Sequence, residues 1–287
     1  MIMRKFILGT DWWTDCDDAV AIRMLARAVK RGEIELLGIG LNACMEYSVS
    51  SLRAFMDAEG IGDVPLGLDV EAGDFGGRPP YQKNMSEYFS SPYTNDDAED
   101  AAALYKRLLE SSDGGIEIIE IGYPQVLARV IEEAPELFAE KVEKVWIMAG
   151  KWDADGEREN NFCRNARASV AAEKLCRLCP VPMTFLGWEI GYDVLTGGGL
   201  SQDDYLHRAL RDHGSAAGRC SWDPMLVLIA LIGDEERAGY DTVRGYATVD
   251  ARDGSNYFKE DGTGSHLYVK KKFDNSYYAS AINALIE

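Results

Sequence analysis

Short apolar runs alternate along the chain with longer stretches in which apolar residues recur every three or four positions, the pattern of a parallel sheet joined by crossover helices. The first run, Lys5–Gly9, predicts a strand, and Asp17–Val29, with Ala19, Ile22, Ala26 and Val29 at helical spacing, predicts the helix that follows it. A strand at Ile34–Leu41, a helix near Ser48–Glu59 and a short strand at Val64–Leu68 complete a βαβαβ unit. Next, Val70–Asn95 is rich in Gly, Pro, Tyr and Ser and reads as a long irregular loop, of the kind that serves as a flap over a site. Alternation resumes with a helix Ala98–Glu110, a strand Ile116–Ile121, a helix Gln125–Ile131 and the strongly apolar strand Val142–Met148. A helix near Ala168–Leu178, a strand Met183–Leu186 and a buried helix Pro224–Ile232 extend the series. With no internal repeat and no linker, the expected architecture is one α/β domain over residues 1–287. It is an open, mostly parallel sheet with helices on both faces around a Rossmann-like core.

Composition narrows the function classes. The 287 residues are 46% hydrophobic and 27% charged, which suits a globular domain, and 48 acidic against 30 basic residues give a net charge of −18. Such a field repels phosphate backbones and anionic lipid, so neither nucleic acid nor a membrane surface is an expected partner. No apolar stretch reaches the length of about 18 residues that a membrane span needs, and Arg4 and Lys5 run into aspartates instead of a signal-peptide core. A soluble, cytoplasmic protein is therefore expected. Six scattered cysteines with a single C-x-x-C, Cys176 and Cys179, read as reduced packing residues and not as a zinc ribbon.

In an open α/β sheet the ligand sits beyond the carboxyl ends of the strands, so the polar residues just after each predicted strand are the candidates for chemistry. After the first strand comes Thr10-Asp11-Trp12-Trp13-Thr14-Asp15-Cys16-Asp17-Asp18, with four aspartates in one loop. Helix capping accounts for one or two acids at such a place, not four. Carboxylates so close raise each other's pKa unless a cation or several hydrogen bonds hold them charged; a bound divalent ion is the economical explanation, and oxygen-only ligands point to Ca²⁺ or Mg²⁺. An EF-hand fails for want of its glycine and distal glutamate, and a phosphate-binding loop for want of its glycine-rich run. An aspartate-nucleophile phosphatase would use the D-x-D spacing of Asp15 and Asp17, but its nucleophile belongs at the strand end. Asp11 stands there, followed two residues later by Trp13, which cannot act as an acid.

The segment Ile7–Ile22, ILGTDWWTDCDDAVAI, resembles the N-terminal signature of the nucleoside hydrolases of the inosine-uridine-preferring type, DTDxGxDxDDAxA or a shorter variant. Asn42, the Ile121-Gly122 turn, Ile147-Met148-Ala149-Gly150, Glu159-Asn160-Asn161-Phe162 and Trp222-Asp223-Pro224 follow in that family's order. The resemblance implies an enzyme that uses one Ca²⁺ to hydrolyse the N-glycosidic bond of a small-molecule ribonucleoside, working as a homodimer or homotetramer. It further implies Asp11, Asp18, Asp223 and the Ile121 carbonyl as metal ligands, Asp17 as general base, and Asn42, Glu159 and Asn161 as ribose contacts. Asp15 fills an extra position of the longer signature without an assigned role. Taken alone, Asn42 also reads as a helix cap, and Asp223 before Pro224 as an N-cap.

Departures from the pattern shape the expectation. Trp222 stands where many members carry the histidine that protonates the departing base, so the acid must be another group, such as Tyr81, Tyr192 or water, or be absent. This motivates the alternative of a weakly catalytic or non-catalytic ribose-binding member of the same fold. Gly9 replaces the first aspartate of the signature, Asn160 an aromatic, Asn165 an aspartate and Ala149 a glycine. Among the loop tryptophans Trp12, Trp13, Trp152, Trp188 and Trp222, position favours Trp152 and Trp222 as the faces on which a base would stack.

Overall fold

The computed structural model describes residues 3–75 and 80–287. In chain order its strands are β1 (Arg4–Thr10), β2 (Ile34–Leu41), β3 (Leu66–Leu68), β4 (Glu99–Asp100), β5 (Ile116–Glu120), β6 (Val142–Met148) and β7 (Met183–Leu186). They are followed by β8 (Leu195–Thr196), β9 (Arg219–Cys220), β10 (Tyr240–Val249), β11 (Asn256–Glu260) and β12 (His266–Lys271). β8 and β9 form a small antiparallel pair; the other ten build one sheet in the order β4-β3-β2-β1-β5-β6-β7-β12-β10-β11. Neighbours from β4 to β12 run parallel, and β10 is antiparallel to both β12 and β11.

Alternation along the central strands assigns the two faces. Phe6, Leu8, Ile119, Trp146 and Met148 pack with the helices Asp17–Lys30, Ser48–Ala58, Trp222–Ile232 and Asn275–Ile286. Ile7, Ile118, Val145 and Ile147 turn the other way, toward Ala101–Ser111, Gln125–Glu133 and Ala166–Leu178. Both faces are covered, which is why these strands read as continuous apolar runs.

β6 and β7 have the expected bounds, and the first helix runs one residue past Val29, to Lys30. Two regions differ. The expected loop Val70–Asn95 contains a helix at Gln82–Tyr88, preceded by the fully buried Tyr81, so this part is packed against the body of the protein. The centre of the expected flap, residues 76–79, lies outside the described residues. The C-terminal strands β10, β11 and β12 lack apolar runs because they lie toward the sheet's edge with one side half exposed, as the alternating burial of Tyr240–Val249 shows. No helix among the described residues is long and apolar enough to cross a membrane.

Candidate active site

On either side of β1 the strand order runs in opposite directions, toward β2 and toward β5, and loops leaving such a switch point splay apart into a crevice. The loop after β1 supplies Asp11 and the turn after β5 supplies Ile121, both lining a cleft of about 250 Å³. Asp17 and Asp18 enter from the first turn of the helix Asp17–Lys30, and Asp223 from the first turn of the helix Trp222–Ile232. That helix begins at Trp222, so Asp223 is not its cap and its carboxylate is left for the cleft.

The acidic loop keeps its shape at a conformational cost. Trp12 and Thr14 have φ of 48° and 49°, left-handed values that cost a non-glycine residue about 1–2 kcal/mol each. Burial of Trp12 offsets this: its ring packs edge-on to Tyr81 and against Phe55, its Nε1–H donates to Ser51 Oγ at 2.8 Å, and its carbonyl accepts from Gln82 Nε2 at 2.6 Å. The half-buried helix Gln82–Tyr88 thus braces the loop through its inner face. Thr10 Oγ1 donates to Asp18, which also accepts from Trp12 N at 3.2 Å, and Asp17 accepts from Asp223 N at 3.1 Å.

Four buried carboxylates, Asp11, Asp17, Asp18 and Asp223, converge here, and burial followed by mutual repulsion pushes all four well above the ordinary aspartate range. After burial, the neighbouring charge of Asp11 is what raises Asp18 most. One oxygen from each of Asp17, Asp18 and Asp223 lies within 4.8 Å of the others. Oxygens that ligate Ca²⁺ at about 2.4 Å can stand up to about 5 Å apart, so a hard divalent cation fits between Asp18 and Asp223, with Asp17 beside it and Asp11 on the wall of the same cleft.

Across the cleft, Glu159 caps the short helix Asn160–Cys163, accepting from Asn161 N at 2.9 Å and Gly150 N at 3.0 Å. Burial raises its pKa to about 7 against those amide bonds. Asn161 donates from Nδ2 to Met148 O at 2.9 Å, which leaves its carbonyl oxygen for a ligand. Trp222 is half-buried, its ring stacked at 6.3 Å on that of Trp188, and its Nε1–H donates to Trp188 O at 2.6 Å.

Two expected site residues stand apart from this cleft. Trp152 is packed among Phe162, Phe185, Phe258 and Tyr268, with its Nε1–H on Ala149 O, so its ring is core and not a stacking face. Asn42 is fully buried: Nδ2 donates to Glu120 Oε1 at 2.7 Å and Oδ1 accepts from Tyr123 N at 2.9 Å, so its amide is spent on the turn after β5 and is not a helix cap. Tyr81 and Tyr192 do not line the cleft, and neither do His207, His213 and His266. Asn165 caps the helix Ala166–Leu178.

Two residues escaped the sequence reading. Arg219 lines the cleft and forms a two-pronged ion pair with Asp15, the acid that had no role. Glu120 is a wholly buried carboxylate below the cleft, and a charged residue inside the apolar string Ile118-Ile119-Glu120-Ile121 was its visible signal. A roomier cleft of about 430 Å³ opens beside the helices Gln82–Tyr88 and Tyr205–His213, but there Asp212 already pairs with Asn84 and Arg211.

The raised carboxylates give a signed expectation for metal-free protein. Glu120, pushed by burial from 4.5 to about 8, and Glu159 hold protons when folded that the unfolded chain releases. Their stabilisation is complete below about pH 4.5 and is lost as pH rises through about 7 and 8. Thermal melts in a chelator are therefore expected to show a falling Tm from pH 5 to 9, with a shallower fall in Glu120→Gln; a rising Tm would contradict it.

No protein-family model matches the chain, and no curated protein matches it by sequence. Solved structures do. The chain is similar to a plant nucleoside hydrolase at a TM-score of 0.75 and 18% identity, covering 99% of this chain and 98% of that one. It is similar to a purine-preferring ribonucleoside hydrolase from Gardnerella vaginalis at 0.73 and 18%, again over 99% and 98%. The type III effector protein XopQ, solved with adenosine diphosphate ribose, matches at 0.74 and 16% over 100% and 94%. The α/β fold is that of the nucleoside hydrolases.

Proposed function

We propose that this chain hydrolyses the N-glycosidic bond of ribonucleosides with the help of Ca²⁺. The observation that carries the reading is the convergence of four buried carboxylates opposite Glu159 and Asn161 in one cleft at the switch point of a nucleoside hydrolase fold. Asp11, Asp18 and Asp223 with the Ile121 carbonyl would hold the ion, which supplies Lewis acidity and relieves the repulsion among the acids. Asp17, with one oxygen anchored by Asp223 N, accepts the proton of the attacking water through the other. Asn161 and Glu159 grip the ribose hydroxyls, while Asn42 acts from below by holding the turn after β5. Trp188 and Trp222 flank the place of the departing base.

The test is a panel of inosine, guanosine, adenosine, uridine, cytidine and p-nitrophenyl riboside, assayed for released base with Ca²⁺ and with chelator. Asp17→Ala is expected to lower turnover about 100-fold or more with Ca²⁺ affinity retained, and Asp11→Ala to lower Ca²⁺ affinity. Undiminished turnover in Asp17→Ala would move the base to another carboxylate.

One observation favours a second reading. Trp222 occupies the position of the acid, and none of the chain's three histidines reaches the cleft, which suits a weakly catalytic or non-catalytic binder of ribosyl compounds. XopQ, solved with adenosine diphosphate ribose, is a neighbour in the same fold. Ribose binding without turnover of any panel member would decide for it.

A further inference from the structure

Gly9 and Glu120 face each other across β1 and β5, paired directly in the parallel register. Glycine in a strand interior usually marks close approach by another group. Here that group is the Glu120 carboxylate: a Cβ on Gly9 would overlap all three atoms of it. The position that carries an acid in the signature is thus empty of side chain, and the neighbouring strand fills the same space with an acid of its own.

The bonds of Glu120 say what it does there. Its Oε1 accepts from Asn42 Nδ2 at 2.7 Å and from Gly122 N at 3.0 Å, and its Oε2 has no partner. Gly122 N and the Ile121 carbonyl belong to one peptide plane, and in a trans peptide the N–H and C=O point to opposite sides. Drawing the N–H down onto Glu120 therefore turns the carbonyl of Ile121 up, toward the cleft that Ile121 lines. Gly122 must be glycine for this, since a Cβ would strike Asp11 N and Asn42 Oδ1.

We infer that Glu120 is a positioning residue for the cation site: it replaces from β5 the acid missing at Gly9 and aims the Ile121 carbonyl at the ion. This rests on the cation site proposed above. Calorimetric titration with Ca²⁺ alone, and thermal melts in chelator, separate the possibilities. Glu120→Ala is expected to bind Ca²⁺ about 10–100-fold more weakly, as loss of such supporting hydrogen bonds does, whereas Glu120→Gln, which keeps the acceptor, stays within about threefold. Gly9→Asp alone is expected to melt about 5 °C or more below the wild type in chelator, because the new carboxylate meets the old one. The double variant Gly9→Asp/Glu120→Ala recovers most of that loss and binds Ca²⁺ more tightly than Glu120→Ala. Should Glu120→Ala prove too unstable, Glu120→Gln and the double variant carry the test. Wild-type affinity in Glu120→Ala, equal weakening in Glu120→Gln and Glu120→Ala, or an undisturbed Gly9→Asp overturns the inference while the cation site stands. Absence of Ca²⁺ binding in the wild type overturns the cation site and the inference with it.

Discussion

Asp18→Asn is expected to abolish activity, by about 10³-fold or more, and at the same time to raise the melting temperature of the metal-free protein. The two signs have one cause. Asp18 is wholly buried beside Asp11, Asp17 and Asp223, and in the absence of a cation these acids raise one another's pKa. Asparagine removes one charge and keeps the oxygen that accepts from Thr10 Oγ1 and Trp12 N, so the loop retains its bonds and loses repulsion. A gain of roughly 1–2 kcal/mol, about 3–6 °C, is expected in chelator. Ca²⁺ reverses the ranking, because saturation at about 100 times Kd stabilises only the protein that binds it, by about 2.7 kcal/mol. Loss of several kcal/mol of charge stabilisation in the transition state accounts for the activity. Melts of both proteins with and without Ca²⁺ check the prediction. An Asp18→Asn protein less stable than the wild type in chelator would mean that the carboxylate is held by protein bonds and not by an ion.

Such a cluster was legible in the sequence because its members are local: Asp11, Asp15, Asp17 and Asp18 fall within eight residues, where the need to explain so many acids forces a cation into view. The parallel sheet was legible for a similar reason. A strand buried on both faces is apolar along its buried part, as Val145–Met148 is, and its short length sets it apart from the longer apolar run of the buried helix Trp222–Ile232. Convergence of Asp223 on the loop came only through resemblance, since 205 positions separate it from Asp18 and nothing local in Trp222-Asp223-Pro224 distinguishes a ligand from a helix cap.

What stayed hidden depends on partners far along the chain. Trp152 follows a strand end just as a stacking residue would, but Phe258 and Tyr268, which enclose it, come from the C-terminal strands β11 and β12, whose half-exposed pattern gives little signal. Asn42 looks like a sugar contact or a cap until Glu120, 78 residues on, is seen to take its amide. Gly9 read as a lost carboxylate because the compensating one sits on the neighbouring strand, and strand pairing is not written in either strand alone.

Leaving-group chemistry provides the other large effect. p-Nitrophenyl riboside is expected to be cleaved at least about 100-fold faster than inosine, since a positioned general acid contributes about 10²–10⁴-fold to a departure that needs a proton and little to one that does not. Among the described residues, none on the cleft wall is suited to be that acid. Trp222 has no titratable proton near neutrality, and its indole N–H is already given to Trp188 O. No histidine lines the cleft: His213 stands behind its wall, with its ring nitrogens on Thr14 O and Ser215 Oγ, and His266, lowered by burial to about 4, accepts a hydrogen bond from Ala247 N. Glu159 titrates near 7, yet its oxygens are held by the amides of Gly150 and Asn161, on the side of the cleft assigned to the sugar. Trp222→His places an imidazole at the start of the same helix and is expected to speed inosine cleavage about tenfold or more with little change toward p-nitrophenyl riboside, narrowing the gap between the two. Steady-state rates for both substrates with both proteins settle it: if wild-type protein cleaves inosine and p-nitrophenyl riboside at similar rates, an acid is present after all, and Trp222 is not where one was lost.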